Sequence, residues 1–134
     1  MAALVADCSV FLPLCFQDEQ SEAAEEMLGR IQTGGALVPA IWWYEIRNVL
    51  VVNERRGRIA PEDSNEFLHL LSRLPIAVVL VEDPDDTVSL AREQGLSVYD
   101  AAYLALARQQ ELPLFTLDKR LAGAARNCGV PVGY

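Results

Sequence analysis

Four acidic residues stand where chemistry is conceivable: Asp7, Glu45, Asp100 and Asp118. Asp7 ends the apolar run Ala2 to Ala6, and Asp118 ends another, Leu114 to Leu117. Glu45 and Asp100 fall on the apolar sides of helical patterns, so both point inward. Four carboxylates crowded together cannot all stay ionised without a cation to offset their repulsion. Mg²⁺ and Mn²⁺ take oxygen ligands, and Mg²⁺ uses one or two carboxylates while keeping water and phosphate in its shell. Such a site activates water and steadies the attacking and leaving oxygens of a phosphodiester displacement. Singly, each acid also has a structural explanation: Asp7 as a strand end, Asp100 and Asp118 as helix N-caps, Glu45 snorkelling to the edge of its helix.

Rival chemistries lack parts. The one histidine, His69, lies on a helix beside no acid cluster and forms no acid–base pair. No glycine-rich phosphate loop follows a strand. Cys8, Cys15 and Cys128 have no paired spacing that clamps zinc, and they read as reduced apolar fillers. A phosphoacceptor receiver domain shares acids at strand ends, but wants an acidic pair after its first strand, where this chain has Cys8 and Ser9.

The elements that must position these acids follow from periodicity. Ala2 to Ala6 reads as a strand buried on both faces, Ser21 to Gln32 as a helix stopped by Gly34 and Gly35, and Ala36 to Val38 as a second strand. Asp18, Glu19 and Glu22 read as a solvated first helical turn. The helix from about Ala40 to Arg56 turns Ile41, Trp42, Ile46, Val49 and Val52 to one side with Glu45 in the middle. Trp43, Leu50 and Val51 lie opposite, an apolar back expected to meet a second subunit or a partner. A helix after Pro61 presents Phe67, Leu68, Leu70, Leu71 and Leu74, and Ile76 to Val81 reads as a third buried strand. Asp83, Asp85 and Asp86 cap the helix that ends at Gly95, and Asp100 opens the next one from near Tyr99. Leu114 to Leu117 is the fourth strand, and Val130 to Val132 is a candidate edge strand. Strands alternating with helices imply an α/β fold with a mostly parallel sheet covered on both faces.

The chain has 134 residues, the size of one domain, and 51% are hydrophobic, enough for a core without disulfides. No apolar run approaches a membrane span and no basic leader precedes Asp7, so the expected location is the cytoplasm. Net charge is −8, opposite to the usual lean of a nucleic-acid binder. The densest basic cluster is Arg55, Arg56 and Arg58 around Gly57, which reads either as a helix C-terminus or as a phosphate-contacting patch.

Asp7-Cys8-Ser9 after the first strand, Glu45 in the helix after the second, Tyr99-Asp100-Ala101-Ala102-Tyr103-Leu104-Ala105 and Thr116-Leu117-Asp118 resemble the PIN-domain family, specifically its VapC-type toxin ribonucleases. The resemblance covers nearly the whole chain, in order. It implies a three-layer α/β/α sandwich with a four- or five-stranded sheet, and a Mg²⁺- or Mn²⁺-dependent endoribonuclease. It further implies a homodimer, silenced by a VapB-type antitoxin. Carried over by position, Asp7, Glu45, Asp100 and Asp118 form the acidic quartet, with Ser9 and Thr116 as polar neighbours of the metal or its waters. Asp7, Asp100 and Asp118 are then expected as direct ligands, and Glu45 as ligand or water-orienting base. RNA grip is left to Arg55, Arg56, Arg58, Lys119 and Arg120. The alternative is a catalytically silent PIN-like module that binds RNA or protein.

Overall fold

The computed structural model describes residues 2–16, 18–80 and 82–133. A parallel sheet runs in the order β3-β2-β1-β4, built from β1 (Leu4–Ala6), β2 (Ala36–Pro39), β3 (Ile76–Val79) and β4 (Leu114–Phe115). β1 is central and all three of its side chains are fully buried, as an uninterrupted apolar run requires. Its register, Val5 opposite Leu114 and Ala6 opposite Phe115, brings the next pair, Asp7 and Thr116, face to face.

A 3₁₀ turn (Cys8–Val10), α1 (Leu12–Cys15) and α2 (Glu22–Gly34) link β1 to β2, and α3 (Ala40–Arg55) and α4 (Pro61–Ser72) link β2 to β3. The path returns through α5 (Pro84–Gln94) and α6 (Val98–Gln110) to β4, and α7 (Lys119–Asn127) follows. β1 to β2 to β3 steps one way across the sheet and β3 to β4 steps back. Right-handed crossovers therefore put α2 and α3 on one face and α5 and α6 on the other, the expected three-layer sandwich. The order reverses between β1 and β4, and in open α/β sheets the crevice beyond the strand ends at such a switch point is where ligands sit. Asp7 and Asp118 follow those two strands.

Local chemistry sets the helix ends. Ser21 caps α2, accepting from the Ala24 N–H at 3.2 Å, and Gly35 leaves it with φ +79°, a conformation open to glycine. α6 is slim and mostly buried along its middle, from Ala101 to Ala107, with Ala101, Ala105 and Ala107 letting it lie close to the sheet.

The structure corrects several boundaries and faces. β3 is an edge strand: Val78 is 45% exposed and Leu80 82%, while Val81 lies outside the described residues. A continuous apolar run reads as doubly buried, but here one strand edge and part of a face have no neighbour among the described residues. β4 stops at Phe115, because Thr116 to Asp118 leave the ladder to bond around Asp7. Of the candidate edge strand only Val132 pairs, in a single bridge to Leu114. On α3 the buried face is Trp42, Ile46, Leu50 and Asn53, so Leu50 belongs to the core and not to the outer side. Val49 and Val52 are only half-buried, and Glu45 stands at the margin of the apolar face. Asp18 and Glu19 precede the α2 cap and hold Arg58 at 3.0 and 2.9 Å instead of forming a free helical turn.

Candidate functional site

Asp7 is 6% exposed and is held from three directions. Its Oδ1 accepts from the Ser9 N–H at 3.1 Å and the Ser9 hydroxyl at 2.6 Å, and its Oδ2 accepts from the Thr116 hydroxyl at 2.7 Å. The two hydroxyls, their protons spent on Asp7, accept in turn from backbone: Ser9 Oγ from Leu117 N–H at 2.8 Å, Thr116 Oγ1 from Asp118 N–H at 3.0 Å. The relay ties the turn after β1 to the loop after β4. A carboxylate has about four lone-pair positions, so three bonds leave about one, on Oδ2, for an outside ligand. Burial pushes Asp7 up to about 6 against the opposing pull of these bonds, and the charge of Asp100 adds to the rise.

Asp118 is the N-cap of α7, its Oδ1 accepting from Arg120 N–H at 2.9 Å and Leu121 N–H at 3.3 Å. The cap reading holds for it, with Oδ2 left over. It fails for Asp100: Ser97 caps α6, its Oγ accepting from the Asp100 N–H at 3.0 Å, and Asp100 lies a turn further in. Burial and then the repulsion of Asp118 raise the Asp100 carboxyl, with Arg120 opposing. Glu45 is half-buried, and its Oε1 accepts a hydrogen bond from the Tyr103 hydroxyl of α6. Burial raises its proton affinity, Tyr103 offsets part of that, and Asp100 adds to it.

All four acids line one cleft of about 300 Å³, together with Cys8, Ser9, Leu12, Asn48, Val49 and Tyr103. Tyr103 and Asn48 were not foreseen as site residues. Their positions on the Asp100 and Glu45 sides of their helices, at i+3 from each acid, were the available signal. Burial, then Glu45 and Asp7, push the Cys8 thiol up to about 12, so it stays protonated at neutral pH. A larger groove of about 680 Å³ between Leu14, Phe16, Ile59, Phe67 and Leu70 carries Asp18, Asp63 and Glu66 at its walls and gathers none of the quartet.

The basic candidates do not assemble around the cleft. Arg58 is engaged by Asp18 and Glu19 and stacks 4.3 Å over the Phe16 ring. Arg120 donates to the Gly95 carbonyl. Lys119 is exposed at the start of α7, and Arg55 and Arg56 are exposed at the end of α3, about 15 Å along the helix from Glu45.

The donor set is all oxygen, which suits a hard divalent cation. Among the described residues no three of these side chains lie close enough to hold one ion by themselves. That agrees with Mg²⁺, which binds through one or two carboxylates and fills its shell with water and phosphate.

A PIN-domain family model matches residues 4–127. Ribonuclease VapC3 of Pyrobaculum aerophilum is 35% identical over 122 residues, spanning 89% of this chain and 92% of that one. Among solved structures, PAE2754 of Pyrobaculum aerophilum superposes with a TM-score of 0.69 at 21% identity, over 93% of this chain and 86% of its own. A toxin–antitoxin complex from Klebsiella pneumoniae gives 0.62 at 22%, over 90% and 92%. FitAcB from Neisseria gonorrhoeae gives 0.67 at 16%, over 98% and 96%. The structural matches bear on the fold alone, and the sequence matches show that the chain belongs to the PIN-domain family, among its VapC-type members.

Proposed function

We propose that this chain is a divalent-metal-dependent endoribonuclease, the toxin of a toxin–antitoxin pair. The observation that carries the reading is the meeting of Asp7, Glu45, Asp100 and Asp118, drawn from four separate elements, in one cleft at the β1/β4 switch point. The ribonuclease name of the VapC3 relative and the toxin–antitoxin complex among the structural neighbours support it.

Asp7, Asp100 and Asp118 would share Mg²⁺ or Mn²⁺, one or two of them binding it directly and the rest through its waters, with Glu45 as a further ligand or as base. The ion, when bound, supplies charge to offset the carboxylates and polarises water and phosphate. The chain's own residues do the rest. The Ser9 and Thr116 relay fixes Asp7 and carries Asp118 with it. Glu45, steadied by Tyr103 and made more basic by burial, takes the proton of the attacking water as its oxygen bonds to phosphorus and the P–O bond of the strand breaks, the leaving ribose oxygen taking a proton from solvent. RNA enters as a single strand from the open side of the cleft, with Arg55, Arg56 and Lys119 as outlying contacts.

The antitoxin, of VapB type, docks an amphipathic basic segment in the groove between Phe16 and Phe67, whose apolar floor and acidic walls suit one. No described helix is long and apolar enough to cross a membrane, and the site of action is taken as the cytoplasm. A homodimer across the exposed side of α3, around Trp43 and Val51, completes the assembly.

The test is incubation of antitoxin-free protein with mixed RNA and Mn²⁺. Wild type should cut single-stranded RNA, EDTA should stop it, and Asp100→Asn should lose at least about 100-fold, the upper end of what a merely supporting residue costs. Because Ser97 and not Asp100 caps α6, that variant should keep its fold by circular dichroism. An Asp100→Asn protein with full activity would sink the mechanism. A folded wild type that binds RNA without cutting it would favour the catalytically silent module.

A further inference from the structure

RNA brings mostly acceptor oxygens into a cleft whose own side chains are mostly acceptors. Ionised, the four carboxylates only accept hydrogen bonds. The hydroxyl protons around them are spent: Ser9 and Thr116 on Asp7, Tyr103 on Glu45. Of the arginines, Arg58 and Arg120 are engaged elsewhere, and the pair at the end of α3 is about 15 Å away.

Asn48 is what remains. It lies one turn beyond Glu45 on the same side of α3, is exposed, and lines the acidic cleft. Among the described residues its carboxamide makes no hydrogen bond. Asn53, further along the helix, shows the contrast: it is buried, donates to the Val49 carbonyl at 2.8 Å and faces Arg58 at 3.4 Å. Asparagine in mid-helix is less favourable than alanine, and at position 48 no hydrogen bond among the described residues offsets that.

We propose that Asn48 is a substrate-contacting residue whose Nδ2 donates to a non-bridging phosphate oxygen of the RNA strand in the cleft. A neutral donor suits this position. A lysine or arginine there would pair with the carboxylates and compete with the cation they are meant to hold, whereas an amide grips an anion without doing so. The inference rests on the ribonuclease reading and adds the group that holds the strand.

Three measurements test it: Mn²⁺ affinity by titration calorimetry, kcat and KM on single-stranded oligoribonucleotides, and RNA affinity by fluorescence anisotropy in the cleavage-silent Asp100→Asn background. Asn48→Ala should keep or slightly raise thermal stability, leave Mn²⁺ affinity unchanged, raise KM by about tenfold with kcat held within a small factor, and weaken RNA binding to match. Asn48→Asp should be worse than Asn48→Ala, because it adds an anion. The loss should be equal across oligonucleotides of different sequence, since phosphate carries none. Unchanged KM and RNA affinity in Asn48→Ala would overturn the proposal, as would weakened Mn²⁺ binding or a loss confined to one base type. If wild type itself cuts no RNA, the ribonuclease reading fails first; if wild type cuts and Asn48→Ala cuts equally well at low RNA, only the assignment of Asn48 fails.

Discussion

Asp7 has to be both ionised and buried, and two hydroxyls reconcile those demands. Thr116→Val keeps the shape of the side chain but removes one bond to Asp7 and the acceptor of the Asp118 N–H. It should cost about 1–3 kcal/mol and lower cleavage by an order of magnitude or more, read by thermal unfolding and single-turnover assays. The raised carboxyl of Asp7 has its own signature. Its proton affinity is higher folded than unfolded, about 6 against the ordinary 3.8, so its contribution to stability is fully present below 3.8 and is lost as pH rises through 6. Asp7→Asn should therefore be the more stable protein in EDTA at neutral pH, by up to about 3 kcal/mol for a shift of two units, with the advantage fading towards pH 4. Added Mn²⁺ should reverse the order by stabilising wild type alone. At this scale the sequence was legible in residue types: the four acids and Ser9 line one cleft, and Thr116 lies buried behind it with its hydroxyl on Asp7. Their division of labour was not, because which hydroxyl bonds which oxygen depends on the β1/β4 register.

Among the elements, α3 shows where periodicity misleads. A helix wheel weighs apolar residues equally, so Val49 and Val52 drew the expected core side towards Glu45. The packed side lies further round, on Trp42, Ile46 and Leu50, because the Glu45 side opens on the cleft. Leu50 is 1% exposed and Val51 39%. Leu50→Ala should cost about 2–5 kcal/mol, and Val51→Ala should stay near the surface range of about 0.5 kcal/mol, both read from urea midpoints. A larger effect at Val51 in a monomer would show that this side of the helix packs intramolecularly. The third strand misled in the same way, since an apolar run looks identical whether the sheet continues beyond it or ends there. The fold class itself was readable because strand-length apolar runs alternate with capped helices along the whole chain.

The molecule as a whole carries a net charge of −8 while exposing Trp43, Tyr44, Val78 and Leu80 near a free sheet edge. Like charge holds copies apart and apolar surface draws them together, and salt weakens only the first. Self-association should therefore strengthen between about 0.1 M and about 1 M salt, where the screening length falls from about 10 to about 3 Å. Sedimentation velocity reads this directly, and dissociation on adding salt would show that ion pairs hold the dimer instead. The same charge explains why composition argued against an RNA substrate, although seven of the 19 acids gather in the cleft and along the Phe16 to Phe67 groove.

The bond from Thr116 to Asp7 joins residues 109 apart in sequence. During synthesis the first strand leaves the ribosome with its carboxylate unclamped until Thr116 and Asp118 have followed. A growing chain is therefore without an assembled cleft through the 109 residues that separate Asp7 from Thr116, and the acids meet only after that whole stretch has been made.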